Sequence, residues 1–196
     1  MKCPLLLGLL LVSTPVFAIN TSILYRGDRI GVLRMPERFD RASERAVSSA
    51  IEEELPSALH KQGFEAFDTQ RTYDEARNGD APAAAFYVEV VGAHTDGGNN
   101  AAGIDVGVNG VYTTVGLLVS HVAAEVRLYD GKTLALIDRW YLGGKNVTVA
   151  PTSISLAGRF LFAELAMPLV RAGQSRNAAH DVAREAAARI AGAARP

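Results

Sequence analysis

The sequence predicts an α+β fold: a mixed sheet with a strand-helix-strand first half, an antiparallel strand-rich second half and helices at the carboxyl end. Two patterns carry that prediction. An apolar run, RIGVLRM (29–35), is followed by a helical repeat and a second short apolar run. Later, Val122, Ala124, Val126 and Leu128 alternate with Ala123, Glu125, Arg127 and Tyr129, the period of two that marks a half-buried strand. Helices after a long run of strands place the chain among folds whose helices cover one face of a largely antiparallel sheet.

The elements follow in order. Residues 19–28 form a leader without clear periodicity. Arg29 to Met35 is apolar enough to be buried on both faces, and Pro36 ends it. Asp40 is a natural N-cap for a helix reaching Gln62, because Val47, Ile51, Leu55, Ala58 and Leu59 fall on one helical face. Pro56 predicts a kink in that helix or a break into two. Gly63 serves as its C-cap, and Phe64 to Asp68 is the second strand, parallel to the first through a right-handed crossover. Residues 84–93, 104–112, 115–129 and 133–142 read as further strands, with Asp130-Gly131 as a tight hairpin turn between the last two. Leu156, Phe160, Leu161, Leu165 and Leu169 predict a packing helix over 155–171, and an Ala-rich helix follows over 177–193 with Val182, Ala186 and Ile190 as its stripe. The expected organisation is a single domain over 29–196.

Ahead of it, Lys2, the apolar run Leu5 to Val12 and the small-residue end Val16-Phe17-Ala18 have the order of a secretory signal peptide cleaved after Ala18. The run is too short for a membrane span, which needs about 20 apolar residues. Cys3 precedes the apolar run instead of marking its end, so lipid attachment at this cysteine is not expected. Cleavage would remove Cys3 and leave a thiol-free chain with 19 basic residues (20 less Lys2) against 21 acidic, a net charge of −2. Disulfides, cysteine metal sites and thiol nucleophiles are then excluded. Near-neutral charge with scattered Lys and Arg argues against nucleic acid as a partner, since such binding runs on clustered phosphate-neutralising cations. The Ala- and Arg-rich tail suggests a bacterial source, in which the sequons at Asn20 and Asn146 are chance matches.

The strands RIGVLRMPE, GFEAFD and YVEVVG, the long helix between the first two, and the run VRLYDGKTLALIDRWY resemble small α/β domains of bacterial envelope accessory proteins. That group includes the amino-terminal domain of the Tol-system propeller protein, the penicillin-binding-protein activator lipoproteins and the curli secretion-pore protein. The resemblance covers 29–141 and rests on element order. It implies action by binding other envelope components, without catalysis and without a cofactor. This chain departs from the lipoprotein members in lacking a cysteine at the cleavage point.

Chemistry-bearing residues are sparse. His60, His94, His121 and His180 are dispersed, none with a partner at metal-ligand spacing, so no metal site is expected. No P-loop, dinucleotide fingerprint or glycine-flanked nucleophilic serine occurs. His94 with Asp96 and Asp105, and His121 with Glu125 on one strand face, offer the alternative of a periplasmic hydrolase using His94, Asp96, His121 and Glu125. The bland readings are a polar loop and a solvated sheet face. Two segments point instead to binding. Gly103, Gly107 and Gly110 punctuate an alternating stretch from Asp96 to Ser120, read either as a bulged hairpin or as a contact with a partner or a lipid surface. Lipid contact is the less favoured, because Asp105 and Asn109 do not suit a lipid-facing band. Phe160, Phe162 and Leu165 lie on a helix apolar around more than one face, so part of it can dock another envelope protein or a second copy.

Overall fold

In a computed structural model the described residues are 23–35, 42–96, 100–108, 111–156, 159–160 and 163–195. The expected amino-terminal signal and Asp40 lie outside them. Strand β1 (Arg29–Leu33) sits between β2 (Glu65–Asp68) and β3 (Phe86–Asp96), parallel to both. β3 turns the sheet antiparallel by pairing with β5 (Val111–Asp130), and β5 pairs along its whole length with β6 (Leu136–Leu156). The order is β2-β1-β3-β5-β6-β7, with β4 (Asn100–Val108) on β5 beyond the end of β3, and β7 (Arg159–Phe160) on the end of β6. This is the expected α+β mixed sheet.

The helix α1 (Ala42–Lys61) and the 31-residue helix α3 (Ala163–Ala193) pack on one another and on one face of the sheet. Val47, Ile51, Leu55, Ala58 and Leu59 are buried there as the spacing predicts, against Ile30, Val32, Val88 and Val90 from the strands. Burying each such large apolar side chain contributes on the order of 1.5–3 kcal/mol. That one-sided burial is the physical reason α1 stays a single helix through Pro56: Leu55, Ala58 and Leu59 are held on both sides of the missing N–H. Gly63 ends it at φ +92°, a conformation that favours glycine.

β1 is buried on both faces because a smaller cluster covers the other side. The five-residue helix α2 (Tyr73–Arg77), which the apolar pattern alone does not reveal, brings Ala76 onto Leu33, Tyr87 and Tyr129. Its start is fixed by a capping box, in which Thr72 accepts from the Glu75 backbone N–H and the Glu75 carboxylate accepts from the Thr72 N–H at 2.8 Å.

Three expectations need correction. The β5–β6 connection is longer than a two-residue turn: it runs over 131–135, closed by the Asp130 N–H donating to the Ala135 carbonyl, and Leu134 takes the positive φ of 54°. Gly131 is needed for space instead, since a Cβ there would lie 2.0 Å from the Ala84 carbonyl oxygen. β6 does not stop at Leu142 but continues to Leu156, so Ser155 and Leu156, with Arg159 and Phe160 in β7, belong to strands and not to a helix. α3 is then one helix, where two were expected, because its inner face is an unbroken row of small residues from Ala178 to Ile190 buried on the sheet. Gly144 admits it: a Cβ at that position would sit 2.0 Å from the Ala178 carbonyl oxygen.

Candidate functional site

Two parts of the sheet bear on function, the face opposite the helices and the ribbon where β5 runs past β3, and they meet on β5. In the half of β5 that pairs with β3, even-numbered residues Val122, Ala124, Val126 and Leu128 are buried under the helices, and odd-numbered residues occupy the opposite face. On that opposite face the rows of register partners are Glu89–Arg127–Arg139, Gly92–Glu125–Tyr141, His94–Ala123–Gly143 and Asp96–His121–Lys145.

The first of these rows borders a polar cluster. Glu89 is 4% exposed, and its carboxylate accepts from the Tyr129 hydroxyl at 2.8 Å. Burial pushes its pKa up, opposed by that hydrogen bond and by Arg127. Burial first, and then the bond to Glu89, raises the pKa of Tyr129 in turn. Arg127 donates to Glu125 at 2.8 Å, a bond that raises the guanidinium pKa further. The Tyr73 ring lies 4.7 Å from that of Tyr129, closing the cluster from α2. A carboxyl group sealed this way stiffens the sheet and offers no route to a substrate. Beyond it the face opens: Ala123, His121, Gly143 and Lys145 are exposed, and Tyr141 is 72% exposed beneath Arg139, whose guanidinium carbon is 5.8 Å from the ring centroid.

The hydrolase candidates thus fall on neighbouring rows of one sheet face. Asp96 is the register partner of His121, and His94 that of Ala123. His121 is exposed, and Glu125 is already committed to Arg127. Four steps along the strand from His121 to Glu125 separate them by about 13 Å. Among the described residues no group of three or more His, Cys, Asp or Glu is close enough to hold a metal ion. A cavity of about 220 Å³ lies elsewhere, lined by Leu24, Phe86, Leu128, Ile137, Asp138 and Arg195. It contains none of the candidates.

The second surface is the ribbon formed where β5 runs past β3. From 111 to 118 it lies between β4 on one side and β6 on the other. Gly103 pairs with Gly116 and Gly107 with Tyr112, so both candidate glycines are strand residues, while Gly110 and Phe162 lie outside the described residues. Phe160 is in β7, opposite Ser155, and Leu165 is in the first turn of α3. The outer edge of β6 carries only β7, at Ser155 and Leu156, among the described residues. Sequence reasoning missed this edge because Gly143-Gly144 reads as the end of a strand.

No family model matches the chain, and no curated protein matches it. Among solved structures it is similar to a minor lipoprotein from Acinetobacter baumannii (12% identity, 87% of this chain and 94% of that one, TM-score 0.46). It is also similar to a hypothetical protein from Chlamydia trachomatis (13%, 85% and 96%, TM-score 0.44) and to the PelC dodecamer from Paraburkholderia phytofirmans (11%, 89% and 94%, TM-score 0.42). Likeness at this level carries no argument about activity, which has to come from the residues of this chain.

Proposed function

We propose that this chain is a non-catalytic accessory protein of the bacterial cell envelope, exported to the periplasm or beyond, cleaved after Ala18, and acting by binding an envelope protein or a second copy of itself. One observation carries the reading: β5 and β6, of 20 and 21 residues, run far past the strand that joins them to the core. They end in a ribbon with an unpartnered outer edge along most of β6 among the described residues. A long free edge presents backbone N–H and C=O groups to any extended segment, which gives affinity through main-chain pairing. Exposed Lys145 interrupts that edge with a charge, the device that keeps such edges from pairing indiscriminately. Gly103, Gly107, Gly110, Phe160, Phe162 and Leu165 are the contact residues this reading assigns. The hydrolase alternative has less support, since exposed His121 and committed Glu125 define no enclosed site.

The test places a photo-crosslinking residue at Tyr141 on β6 and, as control, at exposed Ser57 on α1 in the mature protein within envelope preparations. The proposal expects a discrete adduct, or a dimer, from position 141 and not from position 57. Equal labelling from both positions, or none from 141 together with a monomeric sedimentation profile, overturns it.

A further inference from the structure

Hydrogen bonds at the start of the β5–β6 hairpin fix which backbone groups of β6 point outward. The Gly131 N–H donates to the Ala85 carbonyl on the β3 side, and the Asp130 N–H donates to the Ala135 carbonyl on the β6 side. Backbone groups alternate sides along a strand, so odd-numbered residues of β5 bond to β3 and even-numbered ones to β6. The register pairs Val126 with Trp140, Ala124 with Leu142, Val122 with Gly144 and Ser120 with Asn146. The N–H and C=O groups of Arg139, Tyr141, Gly143, Lys145 and Val147 are thereby turned away from β5. Arg139 shows the outward turn directly, since its N–H is taken by the Asp138 carboxylate at 2.7 Å, which closes one end of the edge. From Tyr141 to Val147, about 20 Å of strand, β6 meets no strand other than β5 among the described residues. Tyr141, Gly143, Lys145 and Val147 are all exposed.

We propose that this edge accepts an extended segment of another protein, with acidic residues six positions apart on one face and apolar residues between them on the other. Charge complementarity selects that occupant. The residues whose backbone points outward also line the open face beside the edge, and the charged ones are both cations, Arg139 and Lys145, with Tyr141 and Gly143 between them. Behind them on β5 stand Arg127, in the Arg139 row, and His121, in the Lys145 row, while the Glu125 carboxylate between is bonded to Arg127. Asp96 belongs to the Lys145 row but lies on β3, two strands away. Neither Arg139 nor Lys145 has an ion-pair partner among the described residues. On the helix side, an added strand sets its alternate side chains beside Trp140 and Leu142, which already pack on the core. A second copy fits worse. Paired on itself about Leu142, β6 sets Arg139 opposite Lys145, and like charges directly opposite destabilise a strand pair.

This rests on the reading of β6 as a binding edge, and the test separates the two. The mature chain is titrated, by fluorescence anisotropy, into the labelled peptide Asp-Val-Thr-Val-Thr-Val-Asp, which reads the same in either strand direction, and into its counterpart with Lys for Asp. The acidic peptide should bind about ten-fold more tightly than the basic one, since two cross-strand charge pairs change sign. Lys145→Glu should weaken the acidic peptide about five-fold and strengthen the basic one, one pair being reversed. Gly143→Pro removes an outward N–H that β5 does not use, a place where an edge strand tolerates proline, and should abolish binding with the circular dichroism unchanged. If that variant fails to fold, acidic peptides methylated on one or the other alternate set of backbone nitrogens replace it, and only one set should block binding. Equal affinity for the two peptides, binding by Gly143→Pro as tight as wild type, or equal effects of the two methylated sets overturns the proposal. Binding of neither peptide also overturns it, and a retained crosslink from position 141 then leaves the edge itself standing as a binding surface. Self-association of wild type that Gly143→Pro abolishes, without peptide binding, overturns it in favour of a second copy.

Discussion

Gly144 tests the packing that decides which part of the sheet is covered and which part is left open. Its missing side chain lets α3 approach β6 so closely that a Cβ would fall 2.0 Å from the carbonyl oxygen of Ala178, 2.9 Å from its carbonyl carbon and 3.0 Å from Val182 Cγ2. The first two atoms are helix backbone, so Gly144→Ala cannot be absorbed by a rotamer change. α3 must then retreat from β6, and its buried row of Ala178, Ala179, Val182 and Ala183 loses contact with the sheet. Overpacking of this kind costs about 1–3 kcal/mol, and the backbone clash places Gly144→Ala near the upper end. The neighbouring Gly143 is the internal control, since a Cβ there meets only the Val122 carbonyl oxygen at 3.8 Å, an ordinary contact. Removing a strand glycine at such a position gains about 0.5–1 kcal/mol. Urea unfolding of the mature chain, followed by circular dichroism, should therefore separate the two variants by about 3 kcal/mol in opposite directions from wild type. Gly144→Ala within about 0.5 kcal/mol of wild type, below the smallest overpacking cost, would refute the close approach of α3 to β6.

Glu89→Gln keeps an acceptor for the Tyr129 hydroxyl and removes a buried charge. Because burial raises the Glu89 pKa, the stability it contributes is full below the unfolded value and is lost as pH rises through the folded one, so the variant should gain on wild type at neutral pH and match it in acid. A pH series of urea midpoints in which the two curves stay parallel would exclude this. Thr72→Ala removes the capping box of α2 and should cost about 1 kcal/mol, read by the same unfolding assay. The bonds from Thr72 lower the Glu75 pKa, so wild type loses that contribution as pH falls through the folded value; the variant should lose less over the same interval, and identical acid limbs would contradict the assignment.

How much of this was legible depended on whether each element is specified by its own residues or by a neighbour. α1, β1 and the alternation of β5 announce themselves because their apolar spacing maps directly onto one buried face. α2 was also written locally, in Thr72-x-x-Glu75, but five residues with one buried alanine give no periodicity to notice. The length of β6 was not local at all. Gly143-Gly144 looks like a terminus until α3 is placed against it, and residues 155–160 look helical until Ser155 and Leu156 are paired with β7. The candidate residues followed the same division: strand parity put His121 and Glu125 on one face, but only the register could set Asp96 opposite His121.

The apolar pattern of β5 changes parity at Ser120, where the strand passes beyond β3. An uninterrupted strand keeps its parity, so a domain that needed only a covered core would continue its apolar residues on the even positions or end the strand where the helices end. Here Ser120 bonds Ser175 of α3 at 3.0 Å, and beyond it along β5 the aliphatic residues Val119, Leu117, Val115 and Val111 stand at odd positions. An alternation that shifts from even to odd positions at one residue is a property of the sequence that the core beneath 122–128 does not require.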